Sequence, residues 1–285
     1  MTLNRLDKDI FSTLSDLDGI VGLYFEDLNS GKKITINADL EFSAASTIKI
    51  PLVTLLFKKA QKGEINLNEK VIIDESNRVG GSGIIKELDS DYTPTIIDLA
   101  KLAIVLSDNV ATNQLIDIVG GADEVTNFCN DMNLKSTRLQ RKMMDFESLK
   151  AGKDNYTTPS DMGYLLKLLA NDEFKSEDVS KGVINIMKRQ QLNQKLPYLI
   201  PALEPDDPNI DSNTIDQGTV VVAHKTGELD RVQHDVGVFL LPNGHKYILA
   251  IYTKNLSTDS EGIKAIANLS KVVYDCMVET VNGLN

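Results

Sequence analysis

The chain has 285 residues, 42% of them hydrophobic and 25% charged, with a formal net charge of -11 at pH 7. That length buries a substantial core, as one large domain or two intertwined ones. The acidic balance excludes nucleic acid and anionic membrane as partners, since both demand a basic footprint that no Lys/Arg cluster supplies, and charges interrupt every apolar run well short of the roughly 20 residues of a membrane span.

Leu3, Ile10, Phe11, Leu14 and Leu17 recur at helical spacing and predict an amphipathic first helix. Met1 to Asp18 lacks the basic-then-apolar order of a secretory leader, so the chain reads as cytoplasmic, or as the mature form of a secreted protein. Ile20–Phe25 and Lys33–Ile36 flank the turn Asn29-Ser30-Gly31-Lys32 and predict a hairpin. A buried helix is expected from about Ser46 to Lys62, stopped by Gly63. Residues 64–94 are loop-rich; Gly80-Gly81-Ser82-Gly83 is their most flexible point, and without a following Gly-Lys-Ser/Thr it makes no phosphate cradle. Further helices are predicted over Thr95–Leu106, Ala111–Val119, Asp123–Met132, Thr158–Leu169 and Ser176–Gln191, with an aperiodic functional loop over Arg138–Pro159 and an acidic surface loop over Leu203–Gln217. The last third turns to strands, Thr219–Ala223, Asp235–Leu241 and Tyr247–Tyr252, before a closing helix over Ser260–Val281. Strands at both ends around a helical middle imply one sheet built from both termini, with the helices inserted and a cleft between the two parts.

Ser46 and Lys49 stand three residues apart at a helix start, so hydroxyl and ammonium project from one face, with small residues ahead of them and the helix N-terminus favouring negative charge on an attacked carbonyl. A lysine held in an apolar pocket beside other cations loses proton affinity and can accept the serine proton near neutral pH. The spacing alone is cheap: Ser30 and Lys33 repeat it in a turn. The three histidines share no ligand spacing, so no metal is expected, nor any cofactor, and Cys129 and Cys276 read as buried or idle thiols.

Ser46-x-x-Lys49 is followed by Ser107-Asp108-Asn109 and then by Lys225-Thr226-Gly227, placed at a strand end. In this order the three motifs resemble the class A β-lactamases and the penicillin-recognising serine enzymes related to them, over roughly residues 20–280. The resemblance implies an α/β (α+β) fold: a five-stranded antiparallel sheet flanked by the terminal helices, formed by residues 1–42 and 218–285, with an all-helical part over 43–217. It implies Ser46 as nucleophile, Lys49 as base or electrostatic partner, and Ser107 as the group that passes the proton to the leaving nitrogen. Asn109, Lys225, Thr226 and Gly227 would bind substrate, and the backbone N–H groups of Ser46 and Glu228 would form the oxyanion hole.

One departure stands out. The family's deacylating glutamate follows an arginine by two residues; here Arg141-Lys142-Met143-Met144-Asp145-Phe146-Glu147 puts Met143 in that place, and methionine cannot polarise a water. Asp145 and Glu147 are the acids a different loop path would use as a substitute base. The loop's arginine clamp is also in question, since Asn155 aligns with the acidic partner and Asp154 lies beside it. The expected function is a β-lactamase-like serine hydrolase acting on a small-molecule β-lactam or related acyl or peptide substrate. The alternatives are a peptidase or esterase of the same fold and a binding or sensing module without turnover.

Overall fold

Both ends of the chain make the sheet. The computed structural model describes residues 5–15, 17–174, 177–203 and 219–282, so most of the expected 203–217 surface loop, with Leu3 and Ser176, lies outside the described residues. Strands β1 (Ile20–Asp27), β2 (Lys33–Ile36), β5 (Val221–Leu229), β6 (Val232–Leu240) and β7 (Lys246–Lys254) pair antiparallel in the order β2-β1-β7-β6-β5. Alternation gives the sheet two apolar faces. Val21, Leu23, Phe25, Leu249 and Ile251 pack on one side with Leu6 and Ile10 of α1 (Leu6–Leu14) and Ile266 and Val273 of α9 (Asp259–Asn282). Tyr24, Ile248, Ala250 and Tyr252 face the helical block on the other.

The block centres on α2 (Lys49–Gln61), in which every residue from Lys49 to Phe57 is buried, the mark of a helix enclosed on all sides. Around it lie α3 (Ile96–Val105), α4 (Asn109–Val119), α5 (Ala122–Asp131) and α8 (Glu177–Met187), while α7 (Pro159–Ala170) packs on β1 and β7. Lys62 ends α2 where Gly63 takes φ +74°, as the stop signal predicts. The five-stranded antiparallel sheet flanked by the terminal helices, both on one face, is the expected architecture.

The differences are local. Lys225-Thr226-Gly227 lies inside a strand and not at its end, because the β5–β6 ladder runs without a break from Val221↔Leu240 to Leu229↔Val232 and carries His, Lys, Thr and Gly along with it. Ser46 belongs to a 3₁₀ turn, Ala45–Ile48, that runs into α2. The aperiodic 138–159 stretch contains a short helix, α6 (Phe146–Lys150), and β4 (Tyr156–Thr157), which pairs with β3 (Phe42–Ser43). Elements of five and two residues are too short to show a period. Cys129 and Cys276 are buried free thiols, and burial pushes the Cys129 thiol up to about 12.

Gly163 on α7 tests this packing: a Cβ there would stand 2.2 Å from Cδ1 of Tyr24, a ring fixed by the hydrogen bond from its hydroxyl to Glu26. Gly163→Ala gains about 1 kcal/mol of helix propensity but overpacks by up to ~3 kcal/mol. The expected net loss of about 1–2 kcal/mol lowers Tm by about 2–6 °C, measurable by thermal denaturation.

Candidate active site

The site forms where the turn before α2, the bend between α3 and α4, and the middle of β5 converge. Ala45 adopts φ +45°, a strained conformation for a residue with a Cβ, and places the partly exposed Ser46 at the mouth of the turn. The turn is held from several sides. Thr47 Oγ1 donates to Ala44 O at 2.7 Å and receives the Tyr252 hydroxyl at 3.0 Å, and Ala44 N donates to Asn155 O at 2.7 Å. His234 Nε2 donates to Ser43 O at 2.9 Å while its Nδ1 accepts from Thr253 N at 3.2 Å; burial brings this ring down to about 4, so it is neutral. A Cβ on Gly227 would lie 3.2 Å from both Ala45 Cβ and Thr47 Cγ2, so the glycine is what lets β5 lie against the turn.

Lys49 is fully buried, and its Nζ donates to Ser107 O at 2.7 Å, to Asn109 Oδ1 at 3.0 Å and to Ser107 Oγ at 3.2 Å. Lys225, equally buried, donates to the same Ser107 Oγ at 3.1 Å and to Thr226 O at 2.8 Å. Two ammonium groups therefore share one hydroxyl. Desolvation, then the charge of Lys225, holds Lys49 well below the ordinary lysine range, with Asp108 opposing. Lys225 is brought down to about 7, mainly by burial, with Asp235 opposing and Lys195 adding to the shift. Among the described residues no hydrogen bond reaches the Ser46 hydroxyl.

Ser107 takes φ +55° in the bend, and Asp108 fixes that bend. Asp108 Oδ1 caps α4 through Ala111 N at 2.9 Å, and Oδ2 accepts from Ile84 N at 2.6 Å and Ile85 N at 2.9 Å. The Gly80–Gly83 run closes on the same corner: Asn109 Nδ2 donates to Gly80 O at 3.2 Å, and Asn109 N donates to Ser82 O at 3.0 Å. A Cβ on Gly83 would fall 2.3 Å from the Asp108 carboxyl, so these glycines are close-packing requirements as well as flexible links.

The 138–157 loop is clamped beside this corner. Arg141 pairs with Asp154, Nη2 to Oδ1 at 2.7 Å, so the acid beside Asn155 is the clamp. Asn155 Oδ1 accepts from Gln140 N and Arg141 N at 2.8 and 3.1 Å. Asn113, one turn along α4 from Asn109, grips Met143 through both backbone groups: Met143 N donates to Asn113 Oδ1 at 2.7 Å and Asn113 Nδ2 donates to Met143 O at 3.2 Å. Met143 itself is buried. Asp145 caps α6 through Ser148 N at 2.9 Å, and Glu147, its side chain 87% exposed, pairs with Lys150. Neither acid hydrogen-bonds to Ser46, Lys49, Ser107 or Asn109 among the described residues. Sequence reading missed Asn113, His234 and Lys195, which carry no short motif; it did single out the glycine run, whose role appears only with its neighbour Asp108 in place.

The fold is that of the β-lactamase-like serine hydrolases, and the comparisons show the family. A model of the beta-lactamase enzyme family matches residues 5–277, and the chain belongs to that family. It is 27% identical to a beta-lactamase of Bacteroides uniformis, over 96% of this chain and 92% of that protein. It is also 27% identical to an imipenem-hydrolyzing beta-lactamase of Enterobacter cloacae, over 92% of this chain and 86% of that one. The structure of PBP-A superposes with a TM-score of 0.84 at 28% identity, covering 98% of each chain. A PBP-A mutant solved as an acyl-enzyme complex with penicillin G gives 0.83 at 28% identity, again over 98% of each chain.

The Lys225 shift has a sign that denaturation reads. Its proton affinity is about 7 when folded against an ordinary 10.5, so between those values the unfolded chain holds the extra proton. Stability contributed by this group is complete above 10.5 and is lost as pH falls towards 7. Urea midpoints are expected to rise over that range, and Lys225→Met to flatten part of the rise.

Proposed function

We propose that this protein is a serine acyl-transfer enzyme that opens a β-lactam, or a related amide or ester, onto Ser46 and releases the acyl group slowly. The reading rests on one observation: the Ser107 hydroxyl bridges the buried amines of Lys49 and Lys225 beside the strained turn that carries Ser46.

In the proposed reaction the Ser46 oxygen attacks the carbonyl carbon and its proton passes to Lys49, whose lowered proton affinity suits it as a base near neutral pH. The backbone N–H groups of Ser46 and Glu228 take the developing oxyanion. When the carbonyl–nitrogen bond breaks, Ser107 gives its proton to the leaving nitrogen and recovers one from Lys49, 3.2 Å away. Lys225 and Thr226 hold the donor's carboxylate, Gly227 leaves room for it, and Asn109 holds the side-chain amide.

Release needs a base for water. Met143, gripped by Asn113, supplies none, and Asp145 and Glu147 are engaged with Ser148 and Lys150. The penicillin G acyl-enzyme of the PBP-A mutant supports the same acylation chemistry here.

Intact-protein mass spectrometry with benzylpenicillin tests this. The wild-type chain should gain the full mass of the donor, since ring opening expels nothing, and lose it slowly; Ser46→Ala should gain nothing. Met143→Glu should shorten the adduct's life by about 100-fold, the lower end for a positioned base. Absence of any adduct, with benzylpenicillin left intact, would overturn the acylation reading; rapid consumption without a persistent adduct would overturn slow release. Faster cleavage of a peptide or ester donor would favour a peptidase or esterase.

A further inference from the structure

A thioether stands beside Asn109 and takes no part in the reaction above. Met144 holds φ +62° and is half-buried. A Cβ on Gly81 would lie 3.0 Å from Met144 Sδ and 2.6 Å from Asn109 Nδ2, so sulfur and amide nitrogen flank one point, and the bare glycine leaves them room. Asn109 Nδ2 donates to Gly80 O at 3.2 Å and, among the described residues, to nothing else, so one of its two protons is unspent. That proton is the one the proposed reaction offers to a donor's side-chain amide.

Among the described methionines this sulfur is the best placed to meet an oxidant from solution. Met143, Met162, Met187 and Met277 are buried. Met132 is half-buried, but the Lys58 ammonium donates to its Sδ at 3.8 Å, which engages a sulfur lone pair and draws electron density from it. Met144 Sδ accepts no hydrogen bond among the described residues, and its lone pairs keep their full nucleophilicity.

We propose that Met144 is a modification site: a peroxide converts its sulfur to the sulfoxide, whose oxygen takes the unspent Asn109 proton and blocks acyl donors that carry a side-chain amide. The block rests on the acylation reading above; the oxidation does not. A sulfur lone pair attacks one oxygen of hydrogen peroxide, and an S–O bond forms as the O–O bond breaks. The displaced hydroxide takes the proton of the new S–OH group and leaves as water, so sulfur loses two electrons and peroxide gains them. A thioether accepts weakly, whereas the sulfoxide oxygen is a polar acceptor on a side chain that already reaches this amide. Asn109 Oδ1 stays with Lys49, so the contact that orders the proposed base is kept and the donor's amide alone is displaced.

The test treats the full chain with hydrogen peroxide and locates the added oxygen by intact mass and peptide mapping. Second-order rate constants for adduct formation are then compared for benzylpenicillin and for aminopenicillanic acid, its counterpart with a free amine in place of the side-chain amide. The first oxygen should appear on Met144, and the ratio of the two rate constants should fall about tenfold, the scale of one lost hydrogen bond. Methionine sulfoxide reductases should restore it. Met144→Leu, which keeps the volume without the sulfur, should hold its own ratio through the treatment. Should that variant not fold, Met144→Gln, with an amide oxygen in place of the thioether, should show the lowered ratio without peroxide. An oxygen gained first at another methionine, or a ratio unchanged once Met144 is oxidised, overturns the proposal while leaving acylation in place. Failure of the untreated chain to form an adduct with either probe would overturn the acylation reading, and the block with it.

Discussion

Two ammonium groups on one serine hydroxyl, deep in the protein, constrain everything around them. Lys49 and Lys225 are both fully buried, and among the described residues neither is paired with a carboxylate; each is satisfied by hydroxyl, amide or backbone oxygens. Burying a charge on such terms is costly, and the cost falls when the amine gives up its proton. The acids that temper this, Asp108 towards Lys49 and Asp235 towards Lys225, act through space and are themselves spent on backbone and imidazole donors. A lysine with lowered proton affinity is thus a consequence of where the fold puts it, and in the proposed reaction that consequence is the base.

Holding the pair requires three separate parts of the chain to meet within hydrogen-bond distance, and the backbone bears strain there. Ala45, Ser107 and Met144 take φ of +45°, +55° and +62°, each a residue with a Cβ in the left-handed region. Each lies in or beside the site, and each is fixed by neighbours that over-determine it: the Tyr252–Thr47 contact for the first, the Asp108 cap for the second, the Asn113 grip on Met143 for the third. Close approach does the rest. Gly227 admits the turn to β5, and Gly83 admits the loop to Asp108.

The sheet and the helical block were legible because their elements are long enough to show a period, and because turn residues such as Gly63 punctuate them. The three motifs were legible because their residue types stand within a few positions of one another, Ser46 to Lys49 where the turn enters α2 or Lys225 to Gly227 within β5. What escaped is what depends on partners remote in sequence. β4 has two residues and exists through Phe42 and Ser43, more than a hundred positions away. The end of β5 was hidden because Lys225 and Gly227, on either side of Thr226, lack strand-forming character and keep their pairing through β6. Lys195 reads as an ordinary surface lysine until the Gly227 and His234 carbonyls that its ammonium meets are known.

The 138–157 loop shows why loss of release chemistry need not disturb acylation. Its shape is set by Arg141 on Asp154, by Asn155 on the backbone of Gln140 and Arg141, and by Asn113 on both backbone groups of Met143. None of these contacts uses the side chain at 143. A backbone grip is indifferent to what the residue carries, so a glutamate and a methionine can occupy the same frame, and the buried Met143 even adds its apolar surface to the core. Lys49, Ser107 and Lys225 draw on α2, the α3–α4 bend and β5, with Asn109 linking Lys49 to the α4 face that holds the loop. On the proposed reading the two halves of the reaction are therefore carried by separate pieces of structure, and one side chain decides whether the second half runs.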